Sequence, residues 1–534
     1  MLLLTLLGLV LLLVLMHRRY VQMTLFKRLN IPGPSPNFIF GNSLKLAKDG
    51  SVRTFPKWTQ TYGPIVGFYI GGHPQLLVTD PEVVHRVLTK DFAYFANRNE
   101  LIPGGPQPML RKMLVWSHDN EWRHLRATMT SSFSAAKLRA MEPLMMSSIA
   151  KLLTELDEKA KSGQEFNVTP SIAETTFSTA AKCMLGLDLS LYKLNNEVEA
   201  VLELARPRFE KSLLAMAMIL FPSTTTFLYP IRVLWEKIRF YFRWSAEGIC
   251  YNILSKIVNH RKETDIDYRD FLQLLLDSSK VRSTTDDIEL EMSDGATMAR
   301  IMSVRGISQT LRRMSIFTDN ATPTDGLTEE EVVANALLFL LGGFETTSVT
   351  LQFVIHMLIN HQDIQEELRE EVRRAVFLDG GTVTWESMAA IPLLEQVIKE
   401  TLRIYPPSSP FTSRVTKQDY EYNDLRIPTG TGIFIGVSSI HKDPRYWPEP
   451  ELFKPDRFEH VYNKLAFLPF GNGPRNCIGM RFAYAELKLV VASLVLNYKF
   501  VPGPSTESNI KVVESMAALM PKNGVFCKVI KLNN

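Results

Sequence analysis

Cysteine is scarce in this chain. Cys183, Cys250, Cys477 and Cys527 are scattered through 534 residues, with no CxxC pair among them. Such usage excludes a disulfide framework and the common zinc-site spacings, and it points to a reducing compartment for the bulk of the chain. A strong charge of one sign is also missing, the formal net charge being +4. A dedicated nucleic-acid binder leaves a larger electrostatic footprint, so no nucleic-acid partner is expected. Internal repeats are absent.

What is present begins with an apolar N-terminus, MLLLTLLGLVLLLVLMHRRY. Its first sixteen residues carry no charge and reach about 24 Å as a helix. That is short of a hydrocarbon core roughly 30 Å thick. Tyr20 at the interface and Arg18 and Arg19 snorkelling to headgroups would complete a span. The rival is a cleaved signal peptide, which wants positive charge before the apolar run and small residues at a cleavage site. Here the charge follows the run, so residues 1–20 are expected to be an uncleaved anchor. Basic residues after the span put the rest of the chain on the cytosolic side.

Residues 21–36 end in LNIPGPSP, where Pro32, Pro34 and Pro36 stiffen a connector. Residues 37–534 form the body. PIVGFYIGGHPQLLVTD, 64–80, predicts two strands about a Gly-Gly-His-Pro turn. Residues 81–278 read as mostly helical. The polar, Ser/Thr-rich stretch 280–325 reads as a long connector within the body, and one long apolar helix is predicted over 328–359. Within 206–244, LLAMAMILFPSTTTFLYP is too broken by Pro222 and its threonines to cross a membrane. It is either a buried helix pair or a surface patch dipping into the bilayer beside the anchor.

The chemistry concentrates at FGNGPRNCIGMR, Phe470–Arg481. MRFAYAELKLVVASLVL follows and predicts a long amphipathic helix, placing Cys477 just before a helix N-terminus, where a thiolate is favoured. Gly471, Gly473 and Gly479 let a large flat ligand approach the backbone, and Arg475 can pair with an anionic group on it. Most lone cysteines are packing residues. Here, however, the pattern F-G-x-G-x-R-x-C-x-G is met at all six fixed positions. The stretch resembles the haem-thiolate loop of the cytochrome P450 family. The resemblance implies haem b as cofactor, the Cys477 thiolate as axial iron ligand, and Phe470, Gly471, Arg475 and Gly479 as cofactor-binding residues. A thiolate ligand pushes electron density onto iron and favours O–O cleavage.

Further stretches are similar to the same family, in its order. LLGGFETTS, 340–348, looks like the oxygen-activation segment. There Gly342 and Gly343 weaken the helix and Thr346 bonds the preceding turn, which opens a groove for dioxygen. The resemblance makes Thr346 and Glu345 the catalytic pair that delivers protons. Glu400 and Arg403 in EQVIKETLRIYPP share a helix face. With Arg457 in FKPDRF they resemble the family's buried Glu–Arg–Arg cluster, which is structural. Trp122 and Arg126 in NEWRHLR, Arg414 in PFTSRVTKQDY and Arg98 in FANRNE match its partners for the haem propionates. The likeness covers residues 30 to 530 and is most similar to microsomal members of the vertebrate 3A-like group. The stretch 280–325 departs from it by its length.

The resemblance implies a mainly α fold with small β-sheets (α+β), a single large haem domain behind the N-terminal anchor. It implies a monooxygenase that inserts one oxygen atom from O2 into a lipophilic substrate in the endoplasmic reticulum membrane. No flavin or nicotinamide fingerprint occurs. Electrons from NADPH would therefore arrive through NADPH–cytochrome P450 reductase, with cytochrome b5 as a second candidate donor. Lys137, Arg139 and Lys488 are candidate docking contacts or simply a solvated face. The expected pocket lining is 101–116, 206–244, Leu338–Glu345, Ser408–Phe411 and Met516–Leu519. Rival classes are a haem-thiolate isomerase or dehydratase, in which the acid–alcohol pair is typically altered, and a haem sensor or carrier.

Overall fold

The computed structural model describes residues 2–100, 108–188, 213–242, 245–264, 268, 270–278, 326–389, 391–407, 412–460, 462–514 and 518–532. The expected connector at 280–325 and the lining segment Ser408–Phe411 lie outside these residues. So do 101–107, 206–212 and 516–517 of the other lining segments.

The chain is mainly helical with four small sheets among the described residues. Helix α1, Leu2–Met23, opens it. The predicted hairpin is present. Strand β1, Ile65–Ile70, pairs antiparallel with β2, His73–Val78, with Ile65 opposite Val78 and Ile70 opposite His73. Its side chains alternate between two faces. Val66, Phe68 and Leu77 pack with Trp58 and Phe434, whereas Tyr69, Leu76 and Val78 join a second cluster with Phe26 and Ile31.

The elements that frame the site follow in order: α2, Asp119–Thr130; α3, Thr169–Leu185; α4, Leu213–Leu220; α5, Thr225–Tyr241; α6, Ala246–Glu263; α7, Glu329–Asn360; α8, Pro392–Ile404; β3, Ser413–Val415; β4, Gly432–Ile435; and α9, Met480–Asn497. Strand β4 runs parallel to β2, and β3 closes the sheet antiparallel to β4. Arg414 therefore sits in an edge strand.

Helix α7 is the axis of the core, with α3, α6, α8 and α9 packed around it. It begins at a reciprocal cap. Glu331 N–H donates to Thr328 Oγ1 at 3.3 Å, and Thr328 N–H donates to Glu331 Oε2 at 2.8 Å. Glu329, Glu330 and Glu331 also complement the positive end of the helix dipole. The helix is long and apolar enough to cross a membrane, but 72% of that stretch is buried inside the protein. The comparable stretch of α1, Thr5–Met23, is only 12% buried. Helix α9 is less amphipathic than predicted. Phe482, Glu486 and Leu489–Val495 are all buried, because α7, α8 and the helix Glu142–Ser162 close around it.

The end of α1 corrects one expectation. Arg19 is buried and does not snorkel. Its Nε donates to Phe38 O at 2.8 Å, and its Nη2 donates to Ile39 O at 2.5 Å and Gly71 O at 3.3 Å. Its guanidinium also lies 5.7 Å from the Phe221 ring. With donors used on protein carbonyls, it has little need of headgroups. Arg18 stays exposed. The neighbouring break in the 206–244 stretch falls at Pro222–Thr224, between α4 and α5. Gly72 N–H donates to Ile219 O at 3.0 Å. A Cβ on Gly71 would fall 2.0 Å from that same oxygen. Ala215, Met218 and Ile219 are buried, while Phe227, Ile231, Leu234 and Trp235 project outward.

Candidate haem site

Two glycines bend the chain around Cys477. Gly471 and Gly473 have φ of 69° and 73°, the region that favours glycine. A Cβ on Gly473 would fall 1.8 Å from Leu88 O. Gly479 has an ordinary φ of −84°, and a Cβ there would meet only Phe133, at 3.9 Å. Cys477 N–H donates to Phe470 O at 2.9 Å, and α9 begins three residues later, as predicted.

The Cys477 side chain is exposed, unlike the other three cysteines. Yet burial is the strongest influence on its thiol and pushes the pKa up, against the Gly479 N–H, Arg126 and Arg98, which pull it down. The two observations agree if the accessible surface faces an internal cleft rather than bulk water. A metal ion there would complete the stabilisation of the thiolate, since a coordinating thiol is deprotonated outright.

Four guanidiniums gather near one another, and two of them, Arg98 and Arg126, act on this sulfur. Arg126 donates to Asn476 O at 2.9 Å and to Asn476 Oδ1 at 2.7 Å, which ties α2 to the residue before Cys477. Arg475 donates to Ser117 O at 2.7 Å and lies 4.4 Å from the Trp122 ring. Arg414 donates to Ser413 O at 2.8 Å. Arg98 is held down to about 10 by burial, with Arg126 also lowering it and Cys477 opposing. Arg475 falls to about 8 through burial and through Arg98, Arg414 and Arg126. Burial, and next Arg98, depress Arg414 well below its ordinary value. Nε of Arg414, and Nε and Nη1 of Arg475, are buried without a hydrogen-bond partner. The carboxylate that offsets Arg475 is Asp119, itself bonded by Lys417 and Asn97. Unpaired buried cations are costly, and a dianionic ligand would relieve them.

Helix α7 opens nearby. Along 331–359 of this helix, otherwise buried, Leu338, Leu341, Gly343 and Thr346 keep accessible surface and Gly342 is exposed. A Cβ on Gly342 would meet nothing within 4 Å, and one on Gly343 would lie 3.8 Å from Phe482 of α9. The opened turn thus adjoins the helix that follows Cys477. Thr346 Oγ1 donates to Gly342 O at 2.7 Å. Glu345 beside it is buried.

The other predicted cluster also comes together. Arg403 donates to Glu400 through Nε at 2.7 Å and Nη2 at 2.8 Å, and Arg457 Nε donates to Glu400 Oε1 at 2.9 Å. Glu400 and Arg403 are fully buried. Of the candidate docking cations, Arg139 is paired with Glu386 at 3.0 Å and Lys488 with Glu395 at 2.8 Å.

Several residues here gave no sequence signal. Asn476 and Ser117 receive the arginines. Asn335 of α7 accepts from Leu114 N–H at 2.8 Å and donates to Lys112 O at 3.0 Å, clamping the 108–116 segment to the core helix. Asparagines and backbone carbonyls have no motif, because any residue supplies a carbonyl.

The family model described as Cytochrome P450 matches residues 31–306 and 303–528. Cytochrome P450 3A14 of Cavia porcellus is 29% identical over 513 residues, covering 95% of this chain and 92% of that protein. Cytochrome P450 3A29 of Sus scrofa is 31% identical over 515 residues, with the same coverage. Thromboxane-A synthase of Sus scrofa is 29% identical over 511 residues, covering 94% of this chain and 92% of that protein.

Proposed function

Since the chain belongs to the cytochrome P450 family, and so to the haem-thiolate monooxygenases among the oxidoreductases, we propose that it inserts one atom of dioxygen into a lipophilic organic substrate, with electrons from NADPH passed through a separate reductase. The supporting observation is a group of four guanidiniums, two of them acting on an accessible Cys477, with buried N–H groups on Arg414 and Arg475 that lack partners. Haem b fits that demand: its two propionates would supply anions to these guanidiniums, and its iron would supply a cation to the Cys477 sulfur.

When bound, haem supplies redox-active iron at which dioxygen is activated. The chain's own residues do the rest. Arg98, Arg126, Arg414 and Arg475 hold the carboxylates, with Trp122 stacked beneath Arg475. The Gly479 N–H bonds the sulfur, and Phe470, Gly471 and Gly479 shape the loop. Thr346 carries an exchangeable proton at Oγ1 in the opened turn, and Glu345 replenishes it. Leu338 and its apolar neighbours exclude water and favour a lipophile. Glu400, Arg403 and Arg457 brace the core on the cysteine side.

Helix α1 serves as a single-pass anchor in the endoplasmic reticulum membrane, with the body on the cytosolic side. The outward apolar residues of α5 touch the same bilayer and admit the substrate. NADPH–cytochrome P450 reductase, or cytochrome b5, docks on the face near Cys477. Lys137 is a better docking cation than Arg139 or Lys488, which already have carboxylate partners.

A second reading is the haem-thiolate isomerase or dehydratase, which rearranges a peroxide without a reductase; the Glu345–Thr346 pair weighs against it. The absorption spectrum of the reduced protein with carbon monoxide tests the ligand: a strongly red-shifted Soret band is expected, and a band at the histidine-ligated position overturns it. Turnover with reductase and NADPH then separates the readings. Reductase-dependent product is expected; product from peroxide alone would favour rearrangement. Thr346→Ala should divert NADPH into peroxide release, and unchanged coupling would remove Thr346 from proton delivery.

A further inference from the structure

His441 ends the short helix Val437–His441 and is fully buried. Its ring lies against Phe467, with centroids 5.5 Å apart and planes 22° from parallel. Both ring nitrogens are used, and their roles can be told apart. Leu468 N–H, which can only donate, lies 2.8 Å from Nε2, so Nε2 is the acceptor. Nδ1 then carries the proton and donates to Arg403 O at 3.1 Å. Arg403 answers by donating from Nη1 to His441 O at 2.8 Å.

These bonds lead from the buried cluster to the cysteine. Glu400 holds Arg403, Arg403 holds His441, and His441 holds Leu468. Leu468 O accepts from Gly471 N–H at 3.0 Å, and Phe470 O accepts from Cys477 N–H at 2.9 Å. We propose that His441 is a positioning residue that ties the cysteine loop to the Glu400–Arg403–Arg457 cluster and thereby holds Cys477 in place for its iron. This rests on the reading of Cys477 as the haem ligand. Burial and the nearby Arg403 keep the imidazole down to about 3, so it stays neutral and keeps its acceptor across the physiological range. An outer partner that orients a metal ligand in this way commonly contributes about 10- to 100-fold to metal retention.

Three replacements separate the two ring nitrogens. His441→Gln keeps an acceptor near the place of Nε2. His441→Asn keeps a donor near Nδ1 only, and His441→Phe keeps ring volume alone. In the full-length, haem-loaded protein, the measurements are the fraction of reduced carbon monoxide complex with the red-shifted Soret band and the haem reduction potential. Asn and Phe should lower thiolate retention about tenfold and shift the potential, and Gln should restore most of both. Full retention in all three, or rescue by Asn and not by Gln, overturns the proposal.

Should no variant bind haem, hydrogen exchange in the wild type decides. The Leu468 amide should exchange more slowly than that of the exposed Lys464, and equal rates overturn the tie. Absence of the red-shifted band from the wild type itself would instead remove Cys477 as the ligand, leaving the exchange result to judge the tie separately.

Discussion

Arg403 and Arg475 are both buried arginines treated in opposite ways. Arg403 meets Glu400 bidentately, with Arg457 on the same carboxylate and the carbonyls of His441 and Leu452 taking further donors. Arg475 sits among Arg98, Arg126 and Arg414, with Nε and Nη1 unmet. One cluster is completed by the protein. The other has one offsetting carboxylate, Asp119, and leaves buried donors that no protein group accepts among the described residues. A buried charge therefore does not by itself mark a functional site; what marks it is the missing counter-charge.

That contrast can be broken at several points. Cys477→Ala removes the sulfur that faces the open cluster and should abolish both the red-shifted carbon monoxide band and product formation. A retained band would show that some other ligand completes the site. Next, Arg403→Leu breaks the bidentate pair, leaves Glu400 with Arg457 as its one cation, and should cost about 3–5 kcal/mol in chemical denaturation. Arg414→Leu removes a cation that has no carboxylate, so haem-free protein should lose no stability while haem retention weakens. Equal destabilisation by the two changes would erase the distinction.

Glu247 offers a third case, a buried carboxyl accepting from Met109 N–H at 3.0 Å. Burial raises it from 4.5 to about 7. The folded state thus binds the extra proton between those values, and stability falls as pH rises through them, by about 3 kcal/mol. Glu247→Gln should flatten that slope in melting curves taken at pH 5 and pH 8; an unchanged slope would assign it elsewhere. Smallest is Arg139→Ala, which breaks an exposed pair with Glu386 and should change stability by about 0–1 kcal/mol. A larger loss on denaturation would mean that this pair is not a simple surface contact.

Much of the site was legible because its parts are contiguous. The loop around Cys477 and the Gly-Gly-Phe-Glu-Thr-Thr turn each spell their geometry within one short window. The arginines were legible only through family likeness, since Arg126 and its partner Asn476 stand 350 residues apart. His441 carried no signal: a lone histidine at the end of a short helix says nothing of Leu468 or Arg403. Arg19 was misread because a cation following an apolar run looks like a headgroup contact until the carbonyls of Phe38, Ile39 and Gly71 are known. Helix α9 was misread because its amphipathic pattern does not reveal that helices close around it on several sides, Gln362–Leu378 among them. The hairpin, by contrast, followed from local turn chemistry alone.

Arg19 has a mechanical meaning as well. A free membrane helix relieves a mismatch with lipid by tilting or by drawing the bilayer in, each at modest cost. Helix α1 is gripped at its inner end by the hairpin turn and stacked on Phe221 beside α4, so it cannot tilt without turning those elements too. Its uncharged run is shorter than an ordinary hydrocarbon core. With α1 anchored as proposed, a change in lipid thickness would act as a torque on the body, applied where α4 meets the hairpin. On the proposed anchoring, membrane thickness would register in the pose of the proposed entrance.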